Sequence, residues 1–132
     1  MKVLVDSTVW IDFLCDKSTP LTKQIVELIQ NREDLCICGF VLTEVLQGIR
    51  DEKQYVATKQ QFNNLIYLDD DYSTFELGAT IYRNLRKQGV TIRNSIDCLI
   101  AAVVIQNDVM LLESDRDYAF IDQYFPLNRI LT

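Results

Sequence analysis

In Val3-Leu4-Val5-Asp6-Ser7-Thr8-Val9-Trp10-Ile11 an apolar run stops on an aspartate, and two hydroxyl residues follow before apolar residues resume. A short, continuous apolar run of this kind reads as a strand buried on both faces, the usual state of a strand in a parallel sheet. Asp6 then falls at the carboxyl end of that strand, where ligands bind in open α/β sheets. Three further acids sit in comparable surroundings. Asp115 closely follows the apolar run Val109-Met110-Leu111-Leu112, and Glu44 lies between Phe40-Val41-Leu42 and Val45-Leu46. Asp97 immediately precedes eight apolar residues, Cys98 to Ile105. A lone buried carboxylate either costs several kcal/mol or takes up a proton through a raised pKa, so a fold that gathers several requires a compensating charge. A divalent cation is the economical candidate.

Outward from the first strand, short apolar runs alternate with longer amphipathic segments, the pattern of α/β folds with a mostly parallel sheet. Strands are expected near residues 2–5, 35–38, 65–68, 109–112 and, more weakly, 127–130. A helix begins after Thr19, an N-cap followed by Pro20, and carries Leu21, Ile25, Leu28 and Ile29 on one face. Others span about 40–49, 52–63 and 73–87, the last ended by Gly89. Asn94 or Ser95 caps the helix that holds Asp97. That helix is apolar on every side and therefore buried, and its N-terminal dipole favours a carboxylate in the first turn. Asp115 and Asp117 compete for one role, since either can cap a short helix that follows.

The 132 residues are read as one domain, 1–132, large enough to bury roughly two thirds of its unfolded surface. An apolar fraction of 48% with 24% charged residues is that of a soluble globular protein, and no apolar run reaches the length of a membrane span. Lys2 is followed by only three apolar residues before Asp6, so no signal peptide is read and a cytoplasmic location is expected. The four cysteines, Cys15, Cys36, Cys38 and Cys98, lack metal-knuckle or disulfide-framework spacing and are expected to be buried, reduced thiols. With no histidine in the chain, His-containing zinc sites and His-based triads are excluded. Oxygen ligands remain, and these suit Mg²⁺ or Mn²⁺. The net charge of −6 argues against coating nucleic acid through a broad basic surface, though not against a nuclease whose own site is acidic, and it favours a basic protein partner.

Four pieces in order, Val3 to Ile11, Thr43-Glu44-Val45-Leu46-Gln47-Gly48, Ser95-Ile96-Asp97-Cys98-Leu99-Ile100-Ala101-Ala102 and Ser114-Asp115-Arg116-Asp117-Tyr118, resemble PIN-domain proteins, and specifically the VapC toxins of toxin-antitoxin pairs. The resemblance implies a three-layer α/β/α sandwich with a mostly parallel sheet of about five strands. It implies a metal-dependent ribonuclease, commonly dimeric and held inactive by a small VapB-type antitoxin. On this likeness Asp6 and Asp97 are the main metal ligands, and Glu44 and Asp115 complete the acidic cluster. Ser7 and Thr8 stand where the family often has Thr-Asn, near the metal, and Tyr118 stands where phenylalanine is usual, a departure that concerns packing.

The chemistry such residues support is in-line attack on an RNA phosphodiester by a water activated on Mg²⁺, with Glu44 or Asp115 orienting or deprotonating it. The implied products are a 5′-phosphate and a 3′-hydroxyl. Arg93, one turn before Asp97, either holds a phosphate, pairs with the cluster or is solvated. Arg83, Arg86, Lys87 and Arg93 together form a candidate RNA-facing rim. Trp10 and Phe13 are read as core or as lining of a partner groove, in the second case as candidate contacts for an amphipathic antitoxin helix whose basic side chain reaches the acidic site. Two other classes compete. A silent PIN-like binding module is disfavoured because all four acidic positions are filled. A haloacid-dehalogenase-type phosphatase is disfavoured because Thr8 occupies the place of its second aspartate, and a receiver domain because the acidic pair and lysine it needs at separate strand ends have no match.

Overall fold

Five parallel strands run β1 (Lys2–Val5), β2 (Asp34–Cys38), β3 (Ile66–Leu68), β4 (Met110–Leu112) and β5 (Asn128–Arg129), and lie in the sheet order β3-β2-β1-β4-β5. The computed structural model describes residues 1–130. Seven helices connect the strands: α1 (Ser7–Leu14), α2 (Pro20–Gln30), α3 (Gly39–Gln47), α4 (Glu52–Phe62), α5 (Tyr72–Lys87), α6 (Ser95–Asn107) and α7 (Arg116–Asp122). The chain builds the sheet outward from β1 on one side, then returns to build β4 and β5 on the other. Right-handed crossovers place the helices of the two branches on opposite faces, which gives the α/β/α sandwich. The reversal leaves a crevice at the carboxyl ends of β1 and β4, the usual ligand site of such sheets.

The strands form where apolar runs predict them because they are covered from both sides. Val3, Leu4, Val5, Cys36, Leu111 and Leu112 have no solvent exposure. In α6 the side chains of Cys98, Ile100, Ala101, Ala102, Val103 and Val104 are all buried, which is why its sequence has no polar face. This helix packs against α5, where a Cβ on Gly78 would lie 2.6 Å from Leu99 Cδ2. The close approach of the two backbones fixes the α6 axis and so the first turn that carries Asp97. Thr19 and Thr22 cap α2 reciprocally, side chain to backbone, at 3.1 and 2.8 Å. Gly89, at φ 82°, ends α5 in the left-handed region that glycine enters without steric cost.

Three expectations need correction. The apolar face of α2 does not extend to Ile29, which is 50% exposed; Ile25 and Leu28 carry the burial. Cys15 is exposed, while Cys36, Cys38 and Cys98 are buried, and all four are free thiols. Trp10 lies in the core and is not available to a partner, being 4% exposed and packed on Phe62 with ring centroids 5.1 Å apart. Its segment forms α1, an element that the apolar-run pattern left unassigned, because Val9, Trp10 and Phe13 share one helical face against the core.

Candidate metal centre

Asp6 is the residue at which β1 ends. Its backbone N–H donates to Leu112 O at 2.9 Å, extending the pairing with β4 by one more bond. It occupies the N-cap position of α1, yet its carboxylate makes no capping bond and Oδ1 is buried without a hydrogen-bond partner. Glu44 projects from α3, where it accepts a hydrogen bond of 3.1 Å from the Ser7 hydroxyl. Asn94 caps α6 by accepting from the Ile96 N–H at 3.0 Å, which sets Asp97 in the first turn. Asp115 caps α7, its Oδ1 accepting from the Asp117 N–H at 2.9 Å.

These separate local devices converge. Asp6, Glu44, Asp97, Asp115 and Asp117 all line one cleft of about 320 Å³, together with Ser7, Thr8, Arg93 and Asn94. Carboxylate oxygens of Asp97, Asp115 and Asp117 lie within 4.8 Å of one another. Asp6 and Asp97 are 3% and 8% exposed, and Asp117, at 5%, is also buried. The choice between Asp115 and Asp117 therefore does not arise in the fold: the first caps the helix, and both face Asp97.

Among the described residues the ion pairs are Met1 with Glu33, Lys17 with Asp12, and Arg129 with Glu113 and Asp122, none of which involves the five acids of the cleft. Burial pushes Asp97 up to about 7, helped by repulsion from Asp6, Asp115 and Asp117. Asp6 rises to about 6, again chiefly through burial, with the Ser7 backbone N–H opposing and Glu44 adding repulsion. A buried oxygen without a donor, beside close carboxylates that enter no ion pair among the described residues, is the donor set that a hard divalent ion satisfies.

The cleft opens into an outer cavity of about 480 Å³ lined by Thr8, Arg93, Ser114, Asp115 and Arg116. The expected basic rim is thus redrawn: Arg93 stands at the mouth, while Arg83, Arg86 and Lys87 on α5 line neither cavity. Arg116 replaces them, and its place beside Asp115 in the sequence was the available signal. Asn94 was anticipated as a helix cap but not as part of the wall. The Tyr118 hydroxyl, 3.4 Å from Asp97 Oδ1, was also missed, because the ring alone accounts for the apolar setting of that position.

Residues 3–124 match the family model of the PIN domain. The chain belongs to the PIN-domain family. Among PIN-domain relatives, ribonuclease VapC11 of Mycobacterium tuberculosis is 27% identical over 121 residues, covering 90% of each chain. The PIN fold is shared with the VapBC-1 structure from nontypeable Haemophilus influenzae, at TM-score 0.75 and 17% identity over 98% of this chain and 97% of that one. The VapBC2 structure from Rickettsia felis, bound to a DNA fragment from its promoter, aligns at TM-score 0.74 and 18% identity over 98% of both chains.

Proposed function

We propose that this PIN domain is the endoribonuclease toxin of a toxin-antitoxin pair, and that residues 1–132 act as one domain in the cytoplasm. The observation that carries the reading is the single cleft at the ends of β1 and β4, where five carboxylates gather without an ion pair among the described residues. The ribonuclease name of the VapC11 relative supports RNA as the substrate.

In this reading Asp6 and Asp97 hold Mg²⁺, or Mn²⁺, with Glu44, Asp115 and Asp117 completing the donor set. When bound, the ion supplies neutralisation of charge at the phosphodiester and makes a water acidic enough to attack at neutral pH. Glu44, which accepts a hydrogen bond from the Ser7 hydroxyl, would serve as the base toward an attacking water in the cleft. Arg93 and Arg116 at the mouth hold the flanking phosphates by charge-assisted hydrogen bonds, with Ser7 and Thr8 lining the inner path. Burial of Asp6 and Asp97 keeps bulk water from screening the site. Attack of water on phosphorus, with the P–O3′ bond breaking and the 3′-oxygen leaving, gives a 5′-phosphate and a 3′-hydroxyl. Purified protein incubated with RNA should cleave it with Mg²⁺ and not with excess chelator, and should leave phosphomonoesters intact. Equal turnover of RNA in chelator would defeat the proposal.

The antitoxin surface follows from the apolar groove of about 400 Å³ between α1, α3 and α4, lined by Ile11, Leu14, Val45, Ile49 and the exposed Cys15. An amphipathic helix fits such a groove, and a basic residue following it reaches the acidic cleft. Replacing Ile49 by Glu should weaken antitoxin binding at least about tenfold, the loss typical of a central apolar contact, while RNA cleavage by the free protein is unchanged. Titration calorimetry against the antitoxin and a cleavage assay check the two halves. Self-association as a homodimer is assigned to α5, where Tyr72 and Phe75 are 79% and 48% exposed.

A further inference from the structure

The geometry points to Tyr118 as a positioning residue of the metal centre, its buried hydroxyl holding Asp97 in the orientation that receives the cation. This inference rests on the metal-centre reading above and adds a residue to it. Tyr118 lies on α7 with no solvent exposure and heads the largest fully buried side chains. Its ring fills the core between α6 and α7, a task that phenylalanine performs equally well. The hydroxyl requires a separate reason, because burying a phenol O–H without a partner is costly.

That reason is the carboxylate. The hydroxyl donates to Asp97 Oδ1 at 3.4 Å. Asp97 has no ion pair among the described residues, and its helix is capped by Asn94. Among the described residues the Tyr118 hydroxyl is the side-chain hydrogen-bond donor to this carboxylate, and in this inference the bond limits its rotation about the terminal bond. A carboxylate held at one oxygen presents the other in a fixed direction, and outer-sphere donors of this kind orient metal ligands throughout metalloproteins. The α7 helix thereby acts twice on one site: Asp115 and Asp117 supply carboxylates, and the next residue steadies the carboxylate opposite.

The test is titration of Mn²⁺ by calorimetry into wild-type protein, Tyr118→Phe and Asp97→Asn, together with thermal melts in chelator. Tyr118→Phe should fold and melt no more than about 6 °C below wild type in chelator, because the ring is kept and one long hydrogen bond is lost. It should bind Mn²⁺ about tenfold more weakly, the lower end of losses for outer-sphere partners. Asp97→Asn should bind Mn²⁺ more weakly than Tyr118→Phe does, because it removes a carboxylate and not only its restraint. If Tyr118→Phe binds Mn²⁺ within about twofold of wild type, the hydroxyl does not position the site and the inference falls while the metal centre stands. A Tyr118→Phe protein that does not fold assigns the hydroxyl to the fold and overturns it too. Wild-type protein that takes up no Mn²⁺ removes the metal centre and this role together.

Discussion

Asp97→Asn should lower RNA cleavage at least about 10²-fold and at the same time raise the melting temperature of the metal-free protein. Both effects come from one oxygen pair. In the presence of Mg²⁺ the carboxylate contributes negative charge to a cation that the other acids hold less firmly without it, and an amide cannot replace that charge. In the absence of metal the same carboxylate is a liability. It is buried, it lies within 4.8 Å of Asp115 and Asp117 through their carboxylate oxygens, and its pKa is pushed up to about 7. Asparagine keeps the shape, removes the repulsion and adds an amide donor for those neighbours. At pH 8 the gain should be about 1 kcal/mol after allowance for solvent screening, or roughly 3–5 °C in a chain of this size. Cleavage assays and melts in chelator on the same preparation test the pair of outcomes. A variant that loses activity and stability together would point to damage of the fold instead of loss of a ligand.

Divalent metal should stabilise the protein strongly, and more so at high pH. The folded-state pKa values of Asp6 and Asp97, about 6 and about 7, lie above the 3.8 expected for the unfolded chain. Between these limits the folded protein binds protons that the unfolded chain has released, so stability without metal falls as pH rises from about 4 to about 7 and levels off above. The cation needs the ionised carboxylates, so its contribution grows through the same interval. At 100 times its dissociation constant, Mn²⁺ adds about 2.7 kcal/mol, roughly 8–14 °C for a chain of this size. Melts at pH 5 and pH 8, each with chelator and with Mn²⁺, should show a small metal shift at the lower pH and a large one at the higher. A shift of equal size at both would contradict the carboxylate site.

Asp6 and Asp97 were recognisable as candidate site residues without coordinates because their signals are local. An acid that ends an apolar run, or opens a wholly apolar helix, contradicts its surroundings, and such contradictions concentrate where function overrides stability. Glu44 gave a weaker local signal, since its helix is only partly apolar, and the ordered set of motifs reinforced it; the bond from Ser7 joins residues 37 positions apart. The pair Asp115 and Asp117 could not be resolved by spacing, because capping and lining a cleft are compatible at neighbouring positions. The rim was legible only in part: of Arg83, Arg86, Lys87 and Arg93, Arg93 alone lines the two cavities, and Arg116 joins it there.

By itself the sequence determined the parallel α/β class, the positions of the strands, the absence of histidine chemistry and the acids at the strand and helix ends. These depend on period, run length and residue type, all properties of neighbours along the chain. The tertiary structure alone decided that Trp10 turns inward onto Phe62, that Arg116 reaches the mouth, that five carboxylates share one cleft, and that the Tyr118 hydroxyl meets Asp97. Each of these is a distance or a direction between distant segments. It is fixed by the rotation of a helix about its own axis and by how closely two backbones pack, as Gly78 allows α5 and α6 to do. Local preferences do not encode such rotations, because many of them satisfy the same apolar pattern until the neighbouring elements are in place.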